Sequence, residues 1–163
     1  MESLDFTQPS QSPIYDPAEA AAFFEGAGAS ESVAPGTTFF TERRQAGFFG
    51  SDDRMYLLQD GAVGLSIGRR AIDTVKPGEI FGELATITDS PRSATATAKT
   101  ACRVSTLDGS QFQQAIQKSP GFALMLMSIM IDRLRLTLAR LAMMKALPGK
   151  LADDERRVFS DAT

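Results

Sequence analysis

The 163 residues include no histidine and no tryptophan, and the one cysteine is Cys102. Without histidine the chain lacks the commonest metal ligand and the commonest general base. One thiol can form neither an internal disulfide nor a cysteine-based zinc or iron–sulfur site, so a reducing, cytoplasmic setting is the expectation. As a nucleophile Cys102 would have no histidine partner, and its place in an apolar-alternating stretch marks it as a core residue. Long hydrophobic runs are also missing. The most apolar stretch, Phe122 to Ile131, is about half the ~20 residues that a membrane span requires. Residues 1–16 are polar and rich in Ser, Gln and Pro. They have neither the basic nor the apolar region of a secretory leader, and read as a disordered tail. Excess positive charge is absent too: the net charge is -3 and the pI about 5.0, so no general affinity for polyanions such as DNA is expected. What remains is expected to be a soluble chain, and not an enzyme, with an apolar share of 43% and a charged share of 23%, enough for one globular domain with an ordinary core.

That domain is expected over residues 17–147. Asp16-Pro17 reads as an N-cap followed by proline at the first helical position, opening a short helix from Pro17 to Glu25 that ends at Gly26 or Gly28. From Glu31 to Leu107 the pattern changes to short runs of β-type residues. Val33, 37–40, 55–58, 62–67, 71–75, 93–98 and 102–107 suit strands, with turns at Pro35-Gly36, Asp60-Gly61, Gly68 and Pro77-Gly78. Strands so short and so regularly punctuated predict a mainly β fold, an antiparallel β-roll of the jelly-roll kind. Helical spacing returns at Asp108 to Lys118, with Phe112, Ala115 and Ile116 on one face. Ser119-Pro120 starts a long helix reaching about Leu147 and stopped by Pro148-Gly149. Residues 148–163 read as a charged tail.

The chemistry is concentrated between Lys76 and Ala98: a Gly82-Glu83 pair, an apolar turn, a tip at Asp89-Ser90-Pro91, and Arg92-Ser93-Ala94 leading into a strand. A cyclic phosphodiester held inside a roll needs these groups. Its charge calls for a cation with fork geometry, which Arg92 has and a lysine would not. Its remaining oxygens call for short donors, the Ser93 hydroxyl and backbone N–H groups near Gly82 to Ala85 and Ala94. A ribose 2′-hydroxyl calls for an acceptor, which Glu83 supplies while partly balancing Arg92. Gly82 lets the backbone come close to a ligand.

In order and spacing this stretch resembles the phosphate-binding cassette of the cyclic-nucleotide-binding domain, in its catabolite-activator-like branch: Phe81-Gly82-Glu83-Leu84-Ala85 through Pro91-Arg92-Ser93-Ala94-Thr95. The flanks resemble it too, with Pro35-Gly36-Thr37, Phe39-Phe40, Met55-Tyr56-Leu57-Leu58 with Gly61, Lys76-Pro77-Gly78-Glu79, and the strand from Ala98 to Val104. The resemblance runs from about Val33 to Leu141. It implies cAMP or cGMP as ligand, Glu83 on the ribose hydroxyl, Arg92 and Ser93 on the cyclic phosphate, and Gly82, Leu84, Ala85 and Ala94 as lining and backbone donors. It further implies a long helix that covers the base and forms a two-fold coiled coil. On that helix Thr137 matches the position that contacts the adenine amino group, and Arg133 the position of an arginine near the cassette glutamate.

The helix itself carries Met127, Met130, Leu134, Thr137, Leu141 and Met144 at spacings of 3, 4, 3, 4 and 3, a heptad seam that predicts a homodimer. A single wide core-facing stripe in a monomer is the competing reading. Two departures from the family are visible. Only 16 residues follow Leu147, without a recognition-helix pattern, so direct DNA binding is not expected. The Phe40–Met55 connection is longer than the usual tight turn and carries Phe48-Phe49, an apolar pair that suits either a partner contact or packing on the roll. The function expected is a stand-alone cyclic-nucleotide sensor that signals to a protein partner through helix movement. The alternative is a dimerisation or interaction module with a non-functional cassette.

Overall fold

The computed structural model describes residues 15–43, 53–88 and 90–146. Most of the expected N-terminal tail, the Phe48-Phe49 pair, Asp89 and the expected C-terminal tail lie outside the described residues. The elements run α1 (Pro17–Ala27), β1 (Ala29–Val33), β2 (Thr38–Phe40), β3 (Met55–Asp60), β4 (Val63–Ile67), β5 (Arg70–Val75), β6 (Ile80–Phe81), α2 (Glu83–Thr88), β7 (Thr95–Ala98), β8 (Cys102–Leu107), α3 (Gly109–Lys118) and α4 (Pro120–Ala146).

The strands form two four-stranded sheets, β1-β8-β3-β6 and β2-β7-β4-β5, with antiparallel pairing throughout. This is the β-roll that the strand spacing predicts. β3 is the element around which it is built, because successive side chains of a strand point to opposite faces. Tyr56 and Leu58 enter the cluster between the sheets with Phe40, Val63, Val75, Phe81, Ala96, Ala98, Cys102 and Val104. Met55 and Leu57 enter a second cluster on the outer face, with Ala20 and Phe24 of α1, Phe112 of α3, and Phe122, Met125, Leu126 and Ile129 of α4. Burying one such aliphatic or aromatic side chain contributes about 1.5–3 kcal/mol, so the helices are fastened to the roll through alternate residues of one strand. Cys102 is buried and free, as a core residue should be.

Local chemistry sets the boundaries. The Asp16 carboxylate accepts from the Ala18 and Glu19 N–H groups and Pro17 fills the first helical position, which satisfies donors that a helix start leaves open. α1 then runs past Glu25 to Ala27, with Gly28 as its C-cap. Asp108 caps α3 in a reciprocal capping box with Gln111. The turns expected at Gly36, Gly61, Gly68 and Gly78 all have positive φ. Two elements differ from the sequence reading. β6 is a two-residue strand where none is expected, and the apolar turn after it is a short helix, α2, whose Thr86, Ile87 and Thr88 are β-branched residues of modest helix propensity.

The long helix spans 27 residues, roughly 40 Å at 1.5 Å per residue. Its first half is anchored in the outer cluster. Along the heptad seam, Met127, Leu134, Leu141 and Met144 are each at least half exposed, at 51, 58, 50 and 65%. The residues of the helix that enter the core are Phe122, Met125, Leu126 and Ile129, and Met130 of the seam is half-buried beside them.

Candidate functional site

Between β6 and α2 the chain reverses at Gly82, whose φ is +77°. Side chains other than glycine's are strained there. The space is closed as well, since a Cβ would lie 3.0 Å from Arg92 Nη1 and 3.0 Å from Phe40 Cε1. Arg92 thus packs directly on the Gly82 backbone.

Arg92 is 3% exposed. Its Nη1 donates to the Gly82 carbonyl at 2.8 Å and its Nη2 to the Arg54 carbonyl at 2.9 Å. The guanidinium carbon sits 4.2 Å from the centroid of the Phe40 ring, within range of a cation–π attraction. The Arg92 carbonyl accepts from the Arg43 N–H at 2.8 Å. Two carbonyls and a ring therefore fix the plane of the fork, so little rotamer entropy remains for an anion to remove.

Glu83 follows Gly82 as the first residue of α2 and is 2% exposed. Its Oε1 accepts from Arg133 Nη1, and Arg133 Nη2 donates to the Ile80 carbonyl. A carboxylate so deeply buried is tolerable because an opposite charge and a hydrogen bond meet it. The pair spans the fold, joining the cassette to α4 across fifty residues of sequence.

The structure thus brings Gly82, Glu83, Arg92 and Arg133 together, with Ala85 and Ala94 buried beside them in sequence. Leu84 is 44% exposed, and Ser93 is exposed next to Arg92. Thr137 lies one turn beyond Arg133 on α4, exposed, its hydroxyl donating to the Arg133 carbonyl at 2.9 Å. Three residues that hold the site were not singled out as site residues from sequence: Phe40, Arg54 and Thr86. Phe40 offered a signal as an aromatic opening the roll. Arg54 acts through its carbonyl, which no residue type encodes. A cavity of about 620 Å³ lies elsewhere, between α1 and the β1, β3 and β8 strands. It contains none of the expected site residues, and the charged side chains on it, Glu25 and Arg103, belong to exposed residues.

A left-handed glycine, a buried acid and a buried arginine thus lie in one short segment of the roll. Comparison with known proteins gives the family. Residues 31–119, more than half of the chain, match the family described as Cyclic nucleotide-binding domain, and the chain belongs to it. It is 38% identical over 89 residues to a cAMP-dependent protein kinase regulatory subunit of Yarrowia lipolytica, an alignment covering 53% of this chain and 22% of that protein. It is 32% identical over 109 residues to a CRP-like cAMP-activated global transcriptional regulator of Mycobacterium tuberculosis, covering 61% of this chain and 48% of the regulator. The alignments therefore span about a fifth and about half of those two relatives. The crystal structure of Thermus thermophilus Catabolite Activator Protein superposes with a TM-score of 0.67 at 23% identity, over 82% of this chain and 63% of that one, a likeness of fold. Among the described residues, no helix is long and apolar enough to cross a membrane.

Proposed function

We propose that the protein is a cytoplasmic regulatory sensor of a cyclic nucleotide, cAMP in the first instance and cGMP as the competitor to test, and that it performs no reaction. The observation that carries this reading is a buried Arg92 packed on the backbone of a left-handed glycine, Gly82, with the buried Glu83 next to it in the chain. Arg92 holds the cyclic phosphate with its guanidinium charge, helped by the Ser93 hydroxyl and the backbone of Gly82 to Ala85 and of Ala94. Leu84, Ala85 and Ala94 line the pocket. Glu83 accepts from the ribose 2′-hydroxyl, and Thr137 meets the base from α4. The names of both curated relatives tie them to cAMP, which supports adenine over guanine.

Binding is felt by α4 because Glu83 is already paired with Arg133 of that helix. A ribose hydroxyl on Glu83 shares the carboxylate that Arg133 uses, so a nucleotide shifts the balance between α4 poses. The exposed seam then serves two roles. Met127, Met130, Leu134, Thr137, Leu141 and Met144 join two copies into a homodimer, and the altered helix surface is what a protein partner reads. Neither DNA nor a membrane is a direct partner in this reading. Hydrogen exchange with and without cAMP tests it: protection across residues 125–146 and the cassette should change together on saturation. Identical exchange in a protein that binds cAMP would remove the helix from the signal, and no binding of either nucleotide would leave a dimerisation module.

A further inference from the structure

One of the carbonyls that accept from Arg92, and the residue before the other, are tied to one hydroxyl. Thr86, in the middle of α2, places Oγ1 2.7 Å from the Asp53 carbonyl and 3.3 Å from the Gly82 carbonyl. The Gly82 carbonyl accepts from Arg92 Nη1, and Asp53 is covalently joined to Arg54, whose carbonyl accepts from Nη2. A hydroxyl has one proton to donate and can share it between two acceptors in a three-centre bond. Thr86 therefore bridges the segment entering β3 to the start of the cassette helix. One arm of the guanidinium fork rests on an end of that bridge, the Gly82 carbonyl, and the other on Arg54, the residue next to its Asp53 end. Asp53 is held again from the other side, its Oδ2 accepting from the Gly109 N–H at 3.2 Å.

We infer that Thr86 is the positioning residue of the phosphate-binding arginine: its hydroxyl sets the spacing between the Gly82 and Arg54 carbonyls and so fixes the plane in which Arg92 meets an anion. Its shape is secondary. Thr86→Val keeps the branched volume on a partly exposed helix and removes only the donor, whereas Thr86→Ser keeps the donor and loses a methyl. If packing were the role, valine would be the milder change; if the hydroxyl is the role, serine is.

The affinity arm of the test rests on the cyclic-nucleotide reading above, and a second arm does not. With ¹⁵N-arginine-labelled protein, the Arg92 side-chain signals, assigned by Arg92→Lys, should exchange with water about tenfold faster in Thr86→Val than in wild type, and at the wild-type rate in Thr86→Ser. Thr86→Ala, which favours the helix, serves if the valine variant folds poorly. Titration with cAMP should show a loss of about tenfold in Thr86→Val, equivalent to ~1.4 kcal/mol. Thr86→Ser should bind like wild type, and Thr86→Val should cost no more than about twofold in an Arg92→Lys background. Unchanged Arg92 exchange in both the valine and alanine variants would overturn the inference whatever the ligand. So would a serine variant that behaves like valine. A wild type that binds no cyclic nucleotide would overturn the functional reading instead, and the exchange arm would still decide the role of Thr86.

Discussion

Arg133 of α4 donates to the buried carboxylate of Glu83, joining two residues fifty positions apart in the chain. The two ends of this pair are not alike: the Glu83 side chain is 2% exposed and the Arg133 side chain 36%. Removing either partner therefore has unequal consequences. Arg133→Ala strands a carboxylate in the interior and should destabilise the protein by about 3 kcal/mol, the range seen when one member of a buried pair is lost. Glu83→Gln leaves an arginine that can rehydrate, and should destabilise it by only about 1 kcal/mol. Urea unfolding of both variants checks the order. Equal losses would mean that the pair is solvated in solution.

Gly82 and Gly36 provide a matched comparison. Their φ angles are +77° and +83°, but an added Cβ meets Arg92 and Phe40 at 3.0 Å in the first case and nothing within 4 Å in the second. Gly36→Ala should show only the left-handed backbone penalty, about 1–2 kcal/mol. Gly82→Ala should show that penalty plus the displacement of Arg92, and should weaken nucleotide binding where Gly36→Ala does not. Thermal unfolding and cAMP titration of the two alanine variants separate the terms.

The exposed seam predicts a change of assembly without a change of fold. Leu134 and Leu141 are 58% and 50% exposed, so charging them costs the folded protomer little. Leu134→Glu with Leu141→Glu should turn a dimer into a folded monomer in light scattering, with an unchanged circular dichroism spectrum. A mass that does not respond would take dimerisation away from this face.

Tyr15 gives the protein an alkaline limit. Its hydroxyl donates to the Gly78 carbonyl, and its pKa is pushed up from 10.0 to about 12, by burial first and then by Glu79, against a lowering by Arg133 and a smaller rise from Asp16. The folded state thus holds this proton more tightly than the unfolded chain. The stability it contributes is whole below pH 10 and is lost as pH rises through about 12. Tyr15→Phe should flatten that limb of the stability profile and remove the phenolate step near pH 12 from the ultraviolet titration. An unchanged profile would place the alkaline loss elsewhere.

Much of this was legible in the sequence because it is local. Turn glycines, the Asp16 cap and the strand from Cys102 to Leu107 each follow from a few adjacent residues. The cassette could be read because Gly82, Glu83 and Arg92 lie within eleven consecutive positions. What could not be read comes from distance or from the backbone. Arg133 was placed near the glutamate only through family resemblance, since nothing local links α4 to β6. The Arg54 carbonyl carries no side-chain signal. α2 is built largely from threonine and isoleucine, residues of modest helix propensity, so its sequence does not announce a helix or the bridging hydroxyl of Thr86.

The most direct test of the central claim is calorimetric titration of cAMP and of cGMP into the wild type and into Arg92→Ala. The wild type should bind at least one of them at micromolar concentration or tighter, and the variant, folded by circular dichroism, should bind at least a hundredfold more weakly, about 2.7 kcal/mol. A wild type that binds neither nucleotide, or a folded Arg92→Ala that binds as well as the wild type, would contradict the claim that this cassette is a cyclic-nucleotide site.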